Sequence, residues 1–136
     1  MFSKRFLQVR GIHTATIYVD GSFIKYNNNI KKTAGIGLYF PNAEHYNVCE
    51  KVHAVSSNYS ELMAVYRAIK ICDLLAINGI IYTDSEYAIR QINHKHSGIF
   101  LNHVKAHQYL HSSILGHEHS VGNAIADALA KYGSKM

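Results

Sequence analysis

The hydrophobic pattern of this chain changes its period, and this change restricts the folds that the chain can adopt. Three segments rich in β-branched and aromatic residues come first, at 14–23, 34–40 and 45–55. The third alternates with a period of two, and short polar stretches separate the three, so the pattern predicts an antiparallel meander. Over residues 57–79 the apolar residues recur at intervals of three and four, which predicts a long helix.

The second half of the chain predicts alternating helices and strands. Asn58 lies three residues before Glu61, which is the spacing of a helix N-cap and its capping-box partner, and Asn78-Gly79 is a typical helix stop. The remaining predicted elements are a strand at 80–83, a helix at 85–93, a strand within 98–107 and, after a histidine-rich loop, a helix at 123–133. A strand that follows a helix usually joins the sheet in parallel. We therefore expect an α/β fold with a mixed five-stranded sheet, three antiparallel strands and then two parallel ones, flanked by helices.

The size and composition of the chain indicate one folded domain without a membrane segment. Of its 136 residues 48% are apolar, yet no apolar run approaches the ~20 residues that a membrane-spanning helix needs. Cys49 and Cys72 form no CxxC pair, so two small buried side chains are a better interpretation than a zinc site or a disulfide. The net charge is +5, but three basic residues fall within 1–13, so charge alone does not identify a nucleic-acid partner.

Four acidic residues occupy positions that solvated surface acids rarely occupy. Asp20 interrupts the first apolar strand, Asp84 ends the fourth, Glu61 opens the long helix, and Asp127 lies in an apolar helix. A buried carboxylate is costly unless it is paired or metal-bound, and two on neighbouring strands repel each other without a cation between them. Mg²⁺ or Mn²⁺ would resolve this repulsion. Two such ions about 3.5–4 Å apart can hold both the attacking and the leaving oxygen of a phosphoryl displacement.

Each acid also has a simpler explanation when it is taken alone. Glu61 fits a capping-box partner of Asn58, and Asp84-Ser85 fits a helix N-cap. Asp20-Gly21 fits a hairpin turn, and Asp127 fits a solvent-facing acid on an amphipathic helix. The joint placement of the four acids, rather than any one of them, supports the metal-site hypothesis.

Five sequence blocks occur in the order that one nuclease family shows. They are YVDGSF, SNYSELMA, IYTDSEYAI, HVKAH and GHEHSVGNAIADALA. Each block is modest alone, but the five in order make a specific match, and over residues 15–132 the chain resembles the cellular and retroviral ribonucleases H. The resemblance implies a metal-dependent endonuclease that hydrolyses the RNA strand of RNA–DNA hybrids and leaves 5′-phosphate and 3′-hydroxyl ends.

The resemblance places the family's four metal-binding carboxylates at Asp20, Glu61, Asp84 and Asp127. It implies two Mg²⁺ ions as cofactors, with Mn²⁺ able to substitute. Asp20 would bridge both ions, and Asp127 would help to hold the ion that activates the water. Glu61 and Asp84 would serve the ion that faces the leaving 3′ oxygen.

The resemblance also implies contacts with an RNA–DNA hybrid. Gly21 and Ser22 match the place where the backbone approaches the RNA strand. Asn58 matches an amide that reads the minor groove, Ser57 replaces a second amide, and Ser56 matches a hydroxyl that contacts a DNA phosphate. Short polar side chains suit the sensing of 2′-hydroxyls across a shallow minor groove.

Two histidines compete for the catalytic histidine that the family carries on a loop before its last helix. His107 follows the fifth predicted strand, as the family residue follows its strand. His117 lies ten residues before Asp127, which is the family spacing. We prefer His117 and interpret residues 108–116 as an insertion.

The chain departs from many cellular relatives between the fourth and fifth strands. Those relatives place two further helices there, often with a basic handle, whereas here only HKHSGIF follows Asn93. Fewer phosphate contacts should weaken substrate binding. A homodimer, a protein partner or a basic arm would compensate. The alternative function is therefore a catalytically weak module that binds RNA–DNA hybrids or RNA and keeps the ribonuclease H fold.

Residues 1–13 differ in composition from the body at 14–136, which we interpret as the ribonuclease H domain. The segment contains three basic residues and no acid, and three of its apolar residues would share one face of a helix. An acid-poor amphipathic N-terminus is typical of a mitochondrial presequence. A basic arm that contacts nucleic acid is the alternative, and the protein would then act in the nucleus or cytoplasm.

Residues 1–13 fused to a fluorescent reporter should direct it to mitochondria, because an acid-free amphipathic segment has the composition of such signals. Imaging of the fusion beside the unfused reporter measures this. A diffuse cytosolic signal from the fusion would reject the presequence and leave the basic arm.

Overall fold

One mixed sheet organises the part of the chain that the structure describes. The structure is a computed structural model, and it describes residues 13–27, 31–92, 98–105 and 114–136. The strands are β1 (Thr14–Tyr26), β2 (Lys31–Tyr39), β3 (Val48–Val52), β4 (Asn78–Thr83) and β5 (Ile99–His103). Their spatial order is β3-β2-β1-β4-β5. The pairs β1–β2 and β2–β3 are antiparallel, and β1–β4 and β4–β5 are parallel, so the predicted sheet is confirmed.

Helices cover both faces of the sheet. Within the described ranges they are α1 (Ser57–Leu75), α2 (Glu86–Gln91) and α3 (Ile114–Ser134). The first packs on β1, β2 and β4, whereas the last packs on β1, β2 and β3. None of these helices is long and apolar enough to cross a membrane.

A short 3₁₀ turn precedes β3 where the sequence predicts strand. It covers Glu44–Tyr46, so the third strand begins later than expected. The Asn47 side chain accepts a hydrogen bond from the backbone N–H of Phe40 at 2.7 Å. This bond closes the connection between β2 and β3. It explains why the first residues of the alternating segment 45–55 do not form strand.

The main core lies between the sheet and α1. Ile17 and Val19 of β1 join Ile36 and Leu38 of β2 in one buried cluster. The helix contributes its inner face to that cluster, through Ala64, Val65, Ala68, Ile69 and Cys72. Burial of each large aliphatic side chain stabilises the fold by about 1.5–3 kcal/mol, so this layer fixes α1 on the sheet.

The opposite face of the sheet allows α3 to come very close to the backbone. Gly37 of β2 lies there, in register with Asp20 of β1. A Cβ atom added at Gly37 would lie 2.5 Å from the backbone nitrogen of Ala130 and 2.7 Å from the Cβ of Leu129, both in α3. No side chain fits at this position, and the glycine therefore sets how near α3 approaches.

The ends of α1 differ from the predicted ones. Ser56, not Asn58, is the N-cap, because its hydroxyl accepts a hydrogen bond from the backbone N–H three residues on, at 3.1 Å. The helix is closed by Ala76 in a left-handed conformation, with φ of 56°. Asn78-Gly79, the predicted stop, instead begins β4. The backbone N–H of Asn78 donates to the carbonyl of His13 at 2.9 Å, so pairing with the sheet determines its conformation.

The last helix begins nine residues before its predicted start at 123. The sequence predicts a histidine-rich loop at 114–122, and this prediction is wrong. Glycine disfavours a helix by about 1 kcal/mol relative to alanine. Gly122 nevertheless lies inside α3, because the Tyr18 ring occupies the space beside it, 2.5 Å from where a Cβ would be. Packing against the sheet overrides the local preference.

Gly37→Ala should lower the free energy of unfolding by about 1–3 kcal/mol, the usual cost of overpacking, because α3 must move off β2. Gly79→Ala is the matched control, since its Cβ would meet the Cys72 sulfur, a side-chain atom away from α3, at 2.7 Å. Gly79→Ala should lower the free energy of unfolding by less than Gly37→Ala does. Urea unfolding of both variants measures the difference, and unchanged stability of Gly37→Ala would contradict the described contact.

Candidate metal centre

Two aspartates lie side by side where β4 ends beside β1. Tyr18 of β1 is in register with Tyr82 of β4, so Asp20 and Asp84, each two residues further on, are level with each other. Residues two apart on a strand point to the same face. Asp20 is only 3% exposed, and Asp84 is partly buried. The sheet itself therefore places two acids next to each other in a poorly solvated position.

The first turn of α1 brings Glu61 to the same place. A Cβ atom at Gly21 would lie 2.5 Å from the backbone nitrogen of Glu61, so only glycine allows this approach. The Gly21 N–H donates to Glu61 Oε1 at 3.1 Å and orients that carboxylate. Carboxylate oxygens of Asp20, Glu61 and Asp84 all lie within 4.8 Å of one another. The three acids predicted from β1, α1 and β4 thus converge.

Asp127 joins the cluster from the other face of the sheet. It lies on α3 and its side chain is hydrogen-bonded with Asp20. The tight 4.8 Å group does not include it. Its Oδ2 also lies 3.1 Å from Nζ of Lys131, and its side chain remains 32% exposed. Lys131 therefore already neutralises part of the charge of Asp127.

Burial and mutual repulsion favour protonated carboxyls in the cluster when no cation is bound. Burial is the largest cause that raises the pKa of Asp20, to about 11, and the charges of Glu61 and Asp84 add to it. Burial also raises the pKa of Glu61, to about 7, with Asp84 adding to it. Hydrogen bonds from Asp20 and from the Gly21 amide act on Glu61 in the opposite direction. A bound cation would favour the charged forms of both acids.

Three of the simpler explanations for the single acids do not hold, whereas the N-cap expected at Asp84-Ser85 is confirmed through its serine. Ser56 caps α1, so Glu61 is free of a capping box with Asn58. Ser85, whose hydroxyl accepts from the Ala88 N–H at 3.0 Å, caps α2 in place of Asp84. Asp20 and Gly21 lie within β1, paired with β2, and form no turn. Asp127 is only one-third exposed, and its side chain bonds to Asp20.

The donor set suits a hard divalent cation. Within the described ranges the group that could hold an ion offers carboxylate oxygens alone, with no histidine or cysteine among its three members. Mg²⁺, Mn²⁺ and Ca²⁺ prefer such ligands, whereas Zn²⁺ and copper favour nitrogen and sulfur. A cation would also relieve the repulsion that raises the pKa values of Asp20 and Glu61. The residues present therefore fit a metal site.

The residues expected to contact substrate lie around this cluster. Ser22 is 8% exposed on β1, two residues beyond Asp20. Ser57 and Asn58 are exposed in the first turn of α1, just before Glu61. Ser56 is partly buried and its hydroxyl caps the helix, so part of its hydrogen-bonding capacity is already used. The start of α1 thus presents short polar side chains beside the carboxylates.

His117 is placed differently from the expectation of a loop residue near the acids. It is exposed on α3, in the same continuous helix as Asp127 and ten residues before it. At the rise of an α-helix, ten residues correspond to about 15 Å along the axis. His117 instead lines a cavity with Tyr18 and Tyr39. His107, the other candidate, lies outside the described residues.

A layer of tyrosines under the aspartates was not predicted. Tyr18 and Tyr82 stack with their ring centres 5.0 Å apart, one step along the same face from Asp20 and Asp84. The Tyr18 hydroxyl is hydrogen-bonded to His119 Nδ1 at 2.7 Å. The repeated Tyr-x-Asp in YVD and YTD could have revealed this pair, because two strands in register bring equal spacings together.

The fold and the carboxylates define the class of protein: an α/β protein with a mixed sheet and a carboxylate cluster that could hold a metal ion. The sequence supplies the family, because the RNase H family profile matches residues 13–106. The chain belongs to the ribonuclease H family. The matched range contains Asp20, Glu61 and Asp84 and ends before Asp127.

Solved structures share this fold at low sequence identity. The RNase H domain of prototype foamy virus is 24% identical with a TM-score of 0.72, covering 93% of this chain and 98% of that one. LC11-RNase H1, isolated from compost by a metagenomic approach, is 17% identical with a TM-score of 0.62, covering 91% and 97%. The foamy viral protease–reverse transcriptase in complex with an RNA/DNA hybrid is 21% identical with a TM-score of 0.67, covering 90% of this chain and 20% of that one. No curated protein matches the sequence.

The free energy of unfolding of the metal-free protein should fall by about 2 kcal/mol or more between pH 5 and pH 8. In the unfolded chain Asp20 and Glu61 lose their protons near their ordinary pKa values of 3.8 and 4.5. In the folded protein the pKa of Glu61 is about 7 and that of Asp20 is about 11, so both carboxyl groups keep their protons to higher pH. The folded state therefore binds more protons in this window, and its stability decreases as the pH rises. Urea unfolding in EDTA across the window measures it.

Asp84→Asn should make the free energy of unfolding of the metal-free protein less dependent on pH and should raise its melting temperature at pH 8. The reason is that the charge of Asp84 raises the pKa values of Asp20 and Glu61. Glu44→Gln, which removes an exposed acid in the 3₁₀ turn, is the matched control and should leave the slope unchanged. A wild-type stability that increases with pH would contradict the repulsion among these carboxylates.

Proposed function

We propose that this chain hydrolyses the RNA strand of RNA–DNA hybrids as an endonuclease, leaving 5′-phosphate and 3′-hydroxyl ends. Two Mg²⁺ ions would be its cofactors, and Mn²⁺ could substitute. The observation that supports this most strongly is the set of carboxylate oxygens from Asp20, Glu61 and Asp84 within 4.8 Å. When bound, such ions neutralise charge on the phosphate and make water a stronger nucleophile.

Each acid has a task that its surroundings suit. Asp20 interacts with Glu61 and Asp84 as well as with Asp127, so it fits a ligand shared by two ions. The Gly21 N–H keeps Glu61 turned toward Asp20. The Asp127 side chain is 32% exposed, so it suits the side from which water enters.

Recognition of RNA would occur at the start of α1. Ser57 and Asn58 are exposed there, within one helical turn of Glu61. Hydroxyl and amide groups of this size can sense 2′-hydroxyls in a wide minor groove, which distinguishes RNA from DNA. The foamy viral protein with the same fold has been solved in complex with an RNA/DNA hybrid, and this supports the assignment of the substrate.

The short connection between α2 and β5 favours a second candidate function. Only residues 92–98 separate the two elements, which leaves no length for two further helices. A chain with fewer phosphate contacts binds nucleic acid more weakly. The second candidate is a module that binds RNA–DNA hybrids or RNA with little catalysis, and a homodimer or a protein partner would then complete it. Mitochondrial targeting by residues 1–13 is a further proposal that rests on composition alone.

Asp84→Asn should reduce hybrid cleavage at least about a hundredfold, because a ligand carboxylate becomes a neutral amide at the metal centre. Fold and hybrid binding should be largely retained. The measurement is incubation of wild type and variant with labelled RNA–DNA hybrid, RNA duplex and DNA duplex, each with Mg²⁺ and with EDTA.

The matched control is again Glu44→Gln, which removes one acid away from the cluster and should cleave like the wild type. Wild-type protein that binds the hybrid without cutting it in Mg²⁺ would support the binding module instead. An Asp84→Asn protein as active as the wild type would remove that residue from the mechanism.

The catalytic role that the sequence assigns to His117 is untested, and the helical spacing argues against it. A general acid–base group contributes about a hundredfold or more and must be within hydrogen-bond reach of its proton. At about 15 Å along α3 from Asp127, His117 is outside that reach. We therefore expect His117→Ala to retain a single-turnover rate close to that of the wild type. His107→Ala is the comparison, and a defect of His117→Ala alone would restore the sequence-based assignment.

A further inference from the structure

Five lysines gather around the hairpin between β1 and β2 and the adjoining edge of the sheet. They are Lys25, Lys31, Lys32, Lys51 and Lys135, and all five are exposed. We call them the hairpin lysines. One surface cavity is lined by Lys31, Lys51 and Lys135, and a second by Lys31, Lys32 and Lys51. Lys25 is in register with Lys32 on the neighbouring strand, and these two point to the sheet face opposite to that of Lys31, so the hairpin lysines surround this end of the sheet.

The stability of the fold does not account for this grouping. Like charges directly opposite each other on neighbouring strands are destabilising, and Lys25 faces Lys32 in this way. Within the described ranges, the ion pairs of Glu50, Glu86 and Asp127 involve no hairpin lysine. Lysine on an edge strand hinders unwanted strand pairing, but this explains only Lys51, on the edge strand β3.

The hairpin lysines are connected to the metal centre along α3. Asp127, Lys131 and Lys135 are spaced by four residues, which places them along one side of the helix and its end. Lys131 contacts Asp127 at 3.1 Å, and Lys51 donates to the backbone oxygen of Met136 at 3.1 Å, beside Lys135. Positive charge therefore continues from the carboxylates to the edge of the sheet.

Two routes give the separation between the carboxylates and this surface. Along α3, the eight residues from Asp127 to Lys135 correspond to about 12 Å. Along β1, the six residues from Asp20 to Tyr26, which is paired with Lys31, correspond to about 20 Å. One strand of a duplex has a phosphate every ~3.4 Å along the axis, so these lengths span about four to six nucleotides.

We propose that the hairpin lysines bind the sugar–phosphate backbone of the duplex held at the metal centre, about four to six nucleotides from the reacting phosphate. The inference rests on the proposed function for the identity of that duplex, an RNA–DNA hybrid. The surface would supply phosphate contacts that the short connection between α2 and β5 cannot provide. Its partner is recognised through charge alone, so it contributes affinity without sequence preference.

The test compares two variants with the same change in net charge. Lys31→Gln/Lys51→Gln removes two charges from the hairpin lysines, and Lys70→Glu removes the same net charge from an exposed position on α1. Both are made in the Asp84→Asn background, so that the hybrid is not consumed in Mg²⁺. Fluorescence anisotropy with a labelled 18-base-pair hybrid gives Kd over a range of salt concentrations.

The double variant should raise Kd about tenfold at 0.15 M salt and lower the slope of log Kd against log salt by about two, one per lost phosphate contact. Lys70→Glu should leave the slope nearly unchanged. Equal slopes for the two variants would overturn the proposal. Because both lysines are exposed, the folds are expected to be intact, and circular dichroism checks this.

A second measurement locates the contact and needs no variant of the lysines. Neutral methylphosphonate linkages placed four to six nucleotides from the cleavage position should weaken wild-type binding and have little effect on the double variant. An equal loss in both proteins would overturn the proposed location. A chain that binds but never cuts would refute hydrolysis while leaving this surface intact, whereas a chain that binds no hybrid would refute the surface.

Discussion

The nearness of two helices to the backbone of one sheet is the constraint on which the rest of the structure depends. At Gly21 the first turn of α1 touches β1, and at Gly37 the middle of α3 touches β2. The two glycines face opposite sides of the sheet, so the helices approach from opposite directions. Glu61 and Asp127 reach Asp20 only because no Cβ separates helix from strand.

The same closeness creates the electrostatic problem that a cation would solve. Asp20 is nearly inaccessible to water and interacts with three other carboxylates. In metal-free protein the result is a proton retained at neutral pH, which makes the empty cluster less stable than an uncharged core of the same size. The apolar layer under α1 provides the rigid support that keeps the acids together despite their repulsion. The apolar residues of β1 that stabilise the fold and the aspartate of the carboxylate cluster therefore point to opposite faces of the same strand.

Much of the fold followed from the sequence because its strongest signals are local. The change from period two to intervals of three and four predicted the order of strands and helices. Apolar surroundings marked three of the acids, and the start of the long helix marked Glu61. The helix ends were less predictable. Ser56 and Asn58 are about equally good N-caps, so residue type does not choose between them, and the αL residue that ends α1 is Ala76 rather than a glycine.

The early start of α3 and the tyrosine layer depend on contacts between distant parts of the chain. Gly122 is helical because Tyr18 packs beside it, about a hundred residues earlier in sequence. No local pattern encodes that neighbour. The sequence spacing between His117 and Asp127 is also misleading without the structure. Because one continuous helix contains both residues, the ten-residue spacing separates them along the helix axis.

The contact between Tyr18 and His119 has a consequence for how the protein folds. Its partners are 101 residues apart, and the parallel pairing of β1 with β4 also joins distant segments. Structures rich in such long-range contacts fold slowly, because chain entropy is lost before the contacts form. Until α3 packs on the sheet, the face of β2 that carries Gly37 is not covered. During synthesis this half-built sheet is the species most exposed to aggregation, and the rate at which α3 docks sets how long it persists.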